Sequence, residues 1–384
     1  MENILLVFGG KSYEHDISIV TASQIYNQTR LENYKLIPIY ISHDNRFYFY
    51  NKSNFLIEDF SSPINLKNKK IFKEITFVAG ENNKVFVKSF WGLKELFTAN
   101  CALLALHGGG GEDGRIASLF EFFGIKCSAG KFDSLAVCMN KFLFKEIMIG
   151  LKIPVVKGLK IRSNQFNRDE KNIISKVKKL QFPVVIKTNS GGSSIGVFVA
   201  NDVGEFKQKI LEAFEFDDDV IVERQIKNCR EFNVAVMGDT GGYDVSEVDE
   251  PIKKEEIFSF ADKYFLGGTN KASKISKGSM VGIKRKLPAN IPQQLTDKIK
   301  SIALKICQNL NTFGIVRIDF LFDDTKKKLY VCEVNAIPGS LAYYFFCKNS
   351  ILLNDFTENL IKIAKNQSEK FNNEFVTPIL IKDT

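Results

Sequence analysis

Histidine, tryptophan and proline are scarce in this chain: three, one and nine among 384 residues. With only His15, His43 and His107 available, a histidine-rich zinc centre is excluded. The seven cysteines are scattered, none forms a C-x-x-C pair, and an odd number closes no disulfide framework. Apolar neighbours such as Val331 beside Cys332 and Phe346 beside Cys347 mark them as buried thiols of a reducing compartment. No apolar run approaches the ~20 residues needed to span a bilayer, and mean hydropathy is −0.08. The opening Met1-Glu2-Asn3-Ile4 lacks the basic start and small-residue cleavage site of a signal peptide. A cytoplasmic protein without a membrane partner is therefore expected. Hydrophobic residues at 45% and charged residues at 25% exclude disorder and collagen-like structure.

Fifty-three Lys and Arg against 44 Asp and Glu leave a net charge of +9. The lysines are spread along the chain, with short clusters at Lys67–Lys73 and Lys326–Lys328. No helix-turn-helix, RNP or zinc-finger pattern accompanies them, so no nucleic-acid partner is expected. A solvated lysine-rich surface or an anionic small substrate accounts for the charge.

What is present falls into three blocks, expected as domains over 1–130, 131–227 and 228–384. Asn3-Ile-Leu-Leu-Val-Phe8 ends in Gly9-Gly10 and reads as a buried strand entering a turn. A helix around Ile19–Arg30 and a strand Leu36–Ile41 make a βαβ start, which favours a parallel sheet. Residues 44–98 read as added strands and loops. Cys101–Leu106 and a helix near Arg115–Phe123 close the block. In the second block, one helix is expected near Ser134–Ile149. Strand Val184–Lys187, a Gly/Ser loop Ser190–Gly196 and strand Val197–Val199 follow, then a helix Val203–Phe214 and strand Val220–Glu223. The third block carries a strand near Phe232–Met237, a loop Ala261–Lys277, a helix near Gln294–Leu310, and strands Gly314–Phe322 and Lys328–Glu333. A polar tail follows Ile363. The fold class is α/β.

Side chains alternate along a strand, so Arg317 and Asp319 share a face, and Glu333 shares one with Asn335, leaving Cys332 and Val334 opposite. Asp323-Asp324-Thr-Lys reads as the turn that pairs the two strands. Asp319, Glu333 and Asn335 then form an oxygen cluster of the kind hard Mg²⁺ takes when phosphate completes its shell. A solvated amphipathic hairpin is the bland alternative. Asn335-Ala-Ile-Pro-Gly-Ser340 adds backbone N–H groups beside an arginine, a place to hold an oxyanion. Lys187-Thr-Asn-Ser-Gly-Gly-Ser-Ser-Ile-Gly196 can lay amides and hydroxyls on phosphates, or be an ordinary hairpin loop. It is neither a Walker P-loop nor a Rossmann turn. Lys141 and Lys187 are candidate phosphate cations, against the reading of surface lysines. Leu106-His-Gly-Gly-Gly-Gly-Glu-Asp-Gly114 ends a parallel strand, where open α/β sheets bind ligands. The alternatives there are a mobile loop with a capping Asp and a structural His107. Glu14-His15 after Gly9-Gly10 is a weaker signal.

Taken in order, these stretches resemble the D-alanine–D-alanine ligase family of the ATP-grasp superfamily. The matching residues are Val7-Phe-Gly-Gly-Lys-Ser-Tyr-Glu14, Leu106-His-Gly, Gly110-Gly-Glu-Asp-Gly114, Met139-Asn-Lys141, Val185-Ile-Lys187 and Gly192-Ser-Ser-Ile-Gly196. Val222-Glu223, Arg230-Glu-Phe232, Lys263-Tyr264, Arg317-Ile-Asp319 and Glu333-Val-Asn335 with Pro338-Gly339 complete them. The likeness spans about residues 3 to 345. It implies a three-domain ATP-grasp architecture with an N-terminal open parallel α/β domain. It also implies ATP-dependent ligation of two D-alanines through an acyl phosphate, for peptidoglycan precursors. Mg²⁺ would be the ion, with Mn²⁺ as an alternative, in a homodimer. By resemblance, Lys141 and Lys187 contact the ATP phosphates, Ser194 with the glycine loop covers them, Glu223 and Glu231 hold adenine and ribose, and Lys263 also binds the ATP. Asp319, Glu333 and Asn335 are the implied metal ligands. Glu14, His107 and Arg317 would surround the first D-alanine. Ser193, Tyr264 and Glu14 would form a triad closing the loop, Gly339 would join Arg317 at the oxyanion, and Ser340-Leu341 would receive the second carboxylate. One departure stands out: Pro338-Gly339-Ser340-Leu341 is contiguous here, where the family carries several more residues between Pro-Gly and Ser-Leu.

Other readings remain open at this point. They are an ATP-grasp ligase for another acid, a D-alanyl-D-lactate variant, and a nucleotide-binding regulator without turnover. A nicotinamide dehydrogenase is a fourth, though it lacks G-x-G-x-x-G at Gly9-Gly10.

Overall fold

The computed structural model describes residues 1–252, 284–346 and 352–367. Lys263, Tyr264, the loop read at 261–277 and Cys347 lie outside them.

The strand β1 (Glu2–Gly9) is apolar on both faces, and Ile4 through Phe8 are fully buried. That pattern requires cover on both sides of the sheet, as parallel strands have. The helix α1 (His15–Gln28) crosses over, and β2 (Tyr34–Ile41) returns parallel to β1. Residues 44–98 supply β3 (Phe47–Tyr50), β4 (Phe72–Thr76), β5 (Lys84–Ser89) and β6 (Gly92–Thr98), all antiparallel to their neighbours. They extend the sheet beyond β2. β7 (Cys101–Leu104) pairs parallel on the other side of β1, giving the order β6-β5-β4-β3-β2-β1-β7. The parallel portion is thus β2-β1-β7, and the remainder is a meander. Phe8, Tyr40, Tyr50, Phe55, Phe60 and Phe72 form one aromatic cluster beneath it.

The carboxyl ends of β1 and β7 lead into α1 and the short helix α2 (Gly109–Glu112), then α3 (Arg115–Phe122). The single helix expected at 134–149 is two helices, α4 (Phe132–Met139) and α5 (Lys141–Gly150). Asn140 leaves helical geometry and its side chain accepts from Leu143 N, capping α5. The break makes Lys141 the first residue of α5.

A second sheet, wholly antiparallel, follows. β8 (Gly158–Arg162), then α6 (Ser163–Arg168) and α7 (Glu170–Lys178), occupy a stretch the sequence marks only by its prolines. β9 (Val184–Thr188), β10 (Phe198–Ala200), α8 (Val203–Phe214) and β11 (Asp219–Arg224) complete it in the order β10-β9-β11-β8. It encloses its own core around Val177, Ile186, Phe206, Ile210 and Val222.

The third sheet has the order β13-β12-β16-β17, from β12 (Cys229–Asp239), β13 (Gly242–Val245), β16 (Gly314–Asp323) and β17 (Lys328–Asn335), with β14 (Glu250–Pro251) and β15 (Arg285–Lys286) forming a separate antiparallel pair. Its core is continuous with that of the first sheet, joining Leu5 and Leu103 to Ile318, Ile306 and Leu360. The helix Leu353–Lys365 seals this junction; Lys365 Nζ reaches Glu2 at 2.7 Å, and Asn354 Oδ1 accepts from Arg30 N at 2.9 Å. It occupies the stretch just before the expected tail. Asp323 Oδ1 accepts from Thr325 N and Lys326 N, making the expected β16–β17 turn.

One strand expectation fails. Asp319 pairs with Glu333 but Phe320 pairs with Val331, so Cys332 is an extra residue in a β-bulge. The bulge breaks the alternation. Cys332 turns to the same cleft as Glu333, with Sγ 3.9 Å from Lys187 Nζ, instead of opposite it. Cys332 and Cys229 are accordingly half-buried, while Cys101, Cys127, Cys138 and Cys307 are buried. No described helix is long and apolar enough to cross a membrane.

Candidate active site

The second and third sheets face each other across an open cleft. Lys141, Lys187, Ser193, Ser194, Glu223, Glu231, Asp319 and Glu333 all line it. Lys187 Nζ lies 2.8 Å from Glu223 Oε2. Burial works against charge on Lys187, yet the Cys332 thiol and the Glu223 carboxylate beside it hold its pKa above the ordinary value. Lys141 Nζ donates to the Gly191 carbonyl and stands 3.7 Å from Glu333 Oε2. The Gly/Ser loop therefore folds over two cations, an arrangement that can receive a polyphosphate.

A smaller cavity of about 410 Å³ opens beyond the loop, sharing Gly192, Ser193 and Glu333 with the cleft. Its walls add Glu14, His107, Glu112, Arg317, Asn335 and Gly339. Ser193 Oγ donates to Glu14 Oε1 across 179 residues of chain. Two glycines make this closure possible. A Cβ on Gly108, which has φ +65°, would sit 2.5 Å from Glu14 Oε2, and one on Gly192 would sit 2.6 Å from the same oxygen.

Arg317 holds Asp319 through two bonds, Nε to Oδ1 at 2.7 Å and a terminal N–H to Oδ2 at 2.8 Å. Asn335 Nδ2 donates to Asp319 Oδ2 at 3.2 Å. Among the described residues no group of three His, Cys, Asp or Glu side chains could hold a metal ion. The donor set is two carboxylates, which the register places opposite one another, and an amide oxygen. Few, hard oxygen ligands next to a phosphate site suit Mg²⁺, whose remaining positions go to phosphate and water.

His107 is tied at both ring nitrogens. The Ile337 carbonyl can only accept, so Nδ1–H donates to it at 2.8 Å, and Nε2 accepts from Thr21 Oγ1 at 2.8 Å. Burial lowers its pKa to about 4 despite the Ile337 bond, and Arg317 lowers it further. His107 is therefore a neutral wall of the cavity. In the unfolded chain it takes its proton near pH 6.5, so its contribution to stability is complete above that value and is lost as pH falls towards about 4. Melting temperatures of the native protein should fall over this window more steeply than those of a His107→Gln variant. Parallel curves would remove His107 as the cause.

Ser340 and Leu341 are buried and line neither cavity. With Ala342 they take left-handed backbone angles directly after Gly339. The Ser340 N–H instead supports Thr21 Oγ1, behind His107.

Two charged residues escaped the sequence reading. Glu112 accepts from Gly108 N at 3.0 Å and Ile337 N at 3.2 Å in the smaller cavity. Burial and neighbouring Glu14 push its pKa up to about 8. In the sequence it stands inside Gly110-Gly-Glu-Asp-Gly114 beside a capping Asp, and Asp113 does accept from Arg115 N. Lys145 is buried against Glu223. Its signal was the i, i+4 spacing from Lys141, which puts both on one helix face.

Residues 3–130 match the family model described as D-ala D-ala ligase N-terminus, and residues 147–353 match D-ala D-ala ligase C-terminus. The D-alanine–D-alanine ligase of Thermosipho melanesiensis is 36% identical over 367 residues, 95% of this chain and 94% of that protein. Among solved structures, the Coxiella burnetii D-alanine-D-alanine ligase superposes with a TM-score of 0.77 at 25% identity, covering 95% of this chain and 94% of that one. The VanG D-Ala:D-Ser ligase of Enterococcus faecalis superposes with 0.75 at 25% identity, covering 94% and 99%. Two family models spanning most of the chain, and a cleft built from the residues that carry the motifs, place this chain in the D-alanine–D-alanine ligase family.

Proposed function

We propose that the protein joins two D-alanines into D-alanyl-D-alanine at the expense of ATP, through an acyl phosphate, to supply peptidoglycan precursors in the cytoplasm. The observation that carries this reading is the wall shared by the two cavities. Ser193 and Glu333 border both, so a γ-phosphate in the cleft would abut a carboxylate held beside Arg317. The three larger sheets support three domains at 1–130, 131–227 and 228–384, the middle one with its own core. A homodimer belongs to the proposal through the family resemblance.

In this reading Lys141 and Lys187 face the phosphates, Ser194 and the glycine loop cover them, and Lys263 belongs to the ATP-binding set by resemblance. Glu223 and Glu231 take adenine and ribose. Asp319, Glu333 and Asn335 hold Mg²⁺ or Mn²⁺, which offsets charge on the transferring phosphoryl group. Glu14 receives the ammonium of the first D-alanine, against the neutral wall of His107. Arg317, oriented by Asp319, reaches the carboxyl oxygen that becomes the oxyanion, joined by the Gly339 N–H. Ser193 and Tyr264 complete the hydrogen-bonded triad with Glu14, excluding water that would hydrolyse the acyl phosphate. The Ser340 N–H, through Thr21 Oγ1, backs the His107 wall beside the first D-alanine.

Acceptor choice tests this reading. With ATP and Mg²⁺ at neutral pH, D-alanine competing against equal D-lactate or D-serine should give D-alanyl-D-alanine as the main product by mass spectrometry. A predominant depsipeptide or D-alanyl-D-serine would contradict the acceptor assignment.

A further inference from the structure

We propose that Lys145 is a positioning residue for nucleotide recognition, locking Glu223 as an acceptor-only carboxylate so that the cleft takes an amino-purine and rejects an oxo-purine. The inference rests on reading Glu223 as the nucleobase contact.

Lys145 sits one turn beyond Lys141 on α5 and is only 6% exposed, while Glu223 on β11 is 2% exposed. The Lys145 ammonium pairs with Glu223 Oε1, and Lys187 takes Oε2 at 2.8 Å. Neither Lys145 Nζ nor Glu223 Oε1 has a further hydrogen-bond partner among the described residues. Glu223 lines the cleft; Lys145 does not, so it reaches a ligand only through Glu223. Packing is tight on the remaining side, where a Cβ on Gly158 would come 3.1 Å from Glu223 Cγ. The carboxylate is thus held at both oxygens and along its stem.

The two lysines have different duties. Lys187 shares the cleft with Lys141 and is drawn to phosphate when a nucleotide enters. Lys145 has no such route and remains the resident counter-charge. Burial alone would raise the Glu223 pKa, but Lys145 and Lys187 bring it down to about 2. An ionised carboxylate accepts hydrogen bonds and donates none. It matches the 6-amino group of adenine and repels the 6-oxo group of hypoxanthine. Without Lys145, a buried Glu223 would take a proton and could donate to the oxo group.

The test is calorimetric titration of the whole protein with Mg·ATP and Mg·ITP, without D-alanine, so that binding is read apart from turnover. The native protein should prefer ATP by ~10²-fold, the scale of one mismatched buried polar contact. Lys145→Met should reduce that preference at least ~10-fold, chiefly through weaker ATP binding. An unchanged preference would overturn the role of Lys145. Glu223→Gln removes the charge that Lys145 neutralises, and also protects against misfolding of the single variant. In that background Lys145→Met should change the preference no further; an added loss would overturn the proposal. A Glu223→Gln protein with native preference would instead refute the nucleobase contact, and the inference with it.

Discussion

Replacing Arg317 by lysine should lower kcat by ~10²–10³-fold, the range for losing one oxyanion donor, while ATP affinity stays near native. The reason lies in the fork. Arg317 spans both oxygens of Asp319, at 2.7 and 2.8 Å, from a position almost fully buried. A lysine ammonium is a point charge that cannot make both bonds in one plane. It would leave one Asp319 oxygen unheld and would meet the oxyanion from a different direction. Charge is conserved, so gross electrostatics and folding should survive, which circular dichroism would check. Steady-state kinetics in D-alanine and ATP then decide. A rise in KM with kcat intact would assign Arg317 to ground-state binding of the first D-alanine, against the oxyanion role.

Glu333→Gln should reduce turnover by ~10²-fold or more, since the metal's share of transition-state stabilisation is several kcal/mol. Glu333 lies opposite Asp319 in the β16–β17 pair and 3.7 Å from Lys141, so under the proposed function its charge would serve both a bound ion and Lys141. The amide keeps the shape and loses the charge. Raising Mg²⁺ or Mn²⁺ should recover part of the activity, and Mn²⁺ binding followed by electron paramagnetic resonance in the presence of ATP should weaken. Native turnover in a folded variant would remove Glu333 from the ion.

Much of this was legible in the chain. The shared face of Arg317 and Asp319 followed from strand alternation, and the bonds between them bear it out. The helix expected over Val203–Phe214 is α8, with the same bounds. Asn140 could have been read as a cap, because Asn three residues before Leu143 is a helix-start signal; the apolar periodicity on both sides concealed it. The meander at 47–98 was obscure because its strands lie towards a sheet edge, where burial is partial and alternation blurs. The Cys332 bulge is a register shift between two strands, invisible to either strand alone. Lys145 and Glu112 gain their roles from burial against residues 78 and 225 positions away, to Glu223 and Ile337. The helix Leu353–Lys365 was readable from Phe356, Leu360, Ile361 and Ala364 at helical spacing, all buried.

The most direct test of the central claim is release of ADP from Mg·ATP with and without D-alanine. Purified protein should bind ATP but release almost no ADP alone. Added D-alanine should then trigger ADP, phosphate and D-alanyl-D-alanine in equal amounts, with L-alanine a poor substitute. ATP binding without D-alanine-dependent ADP release would contradict it.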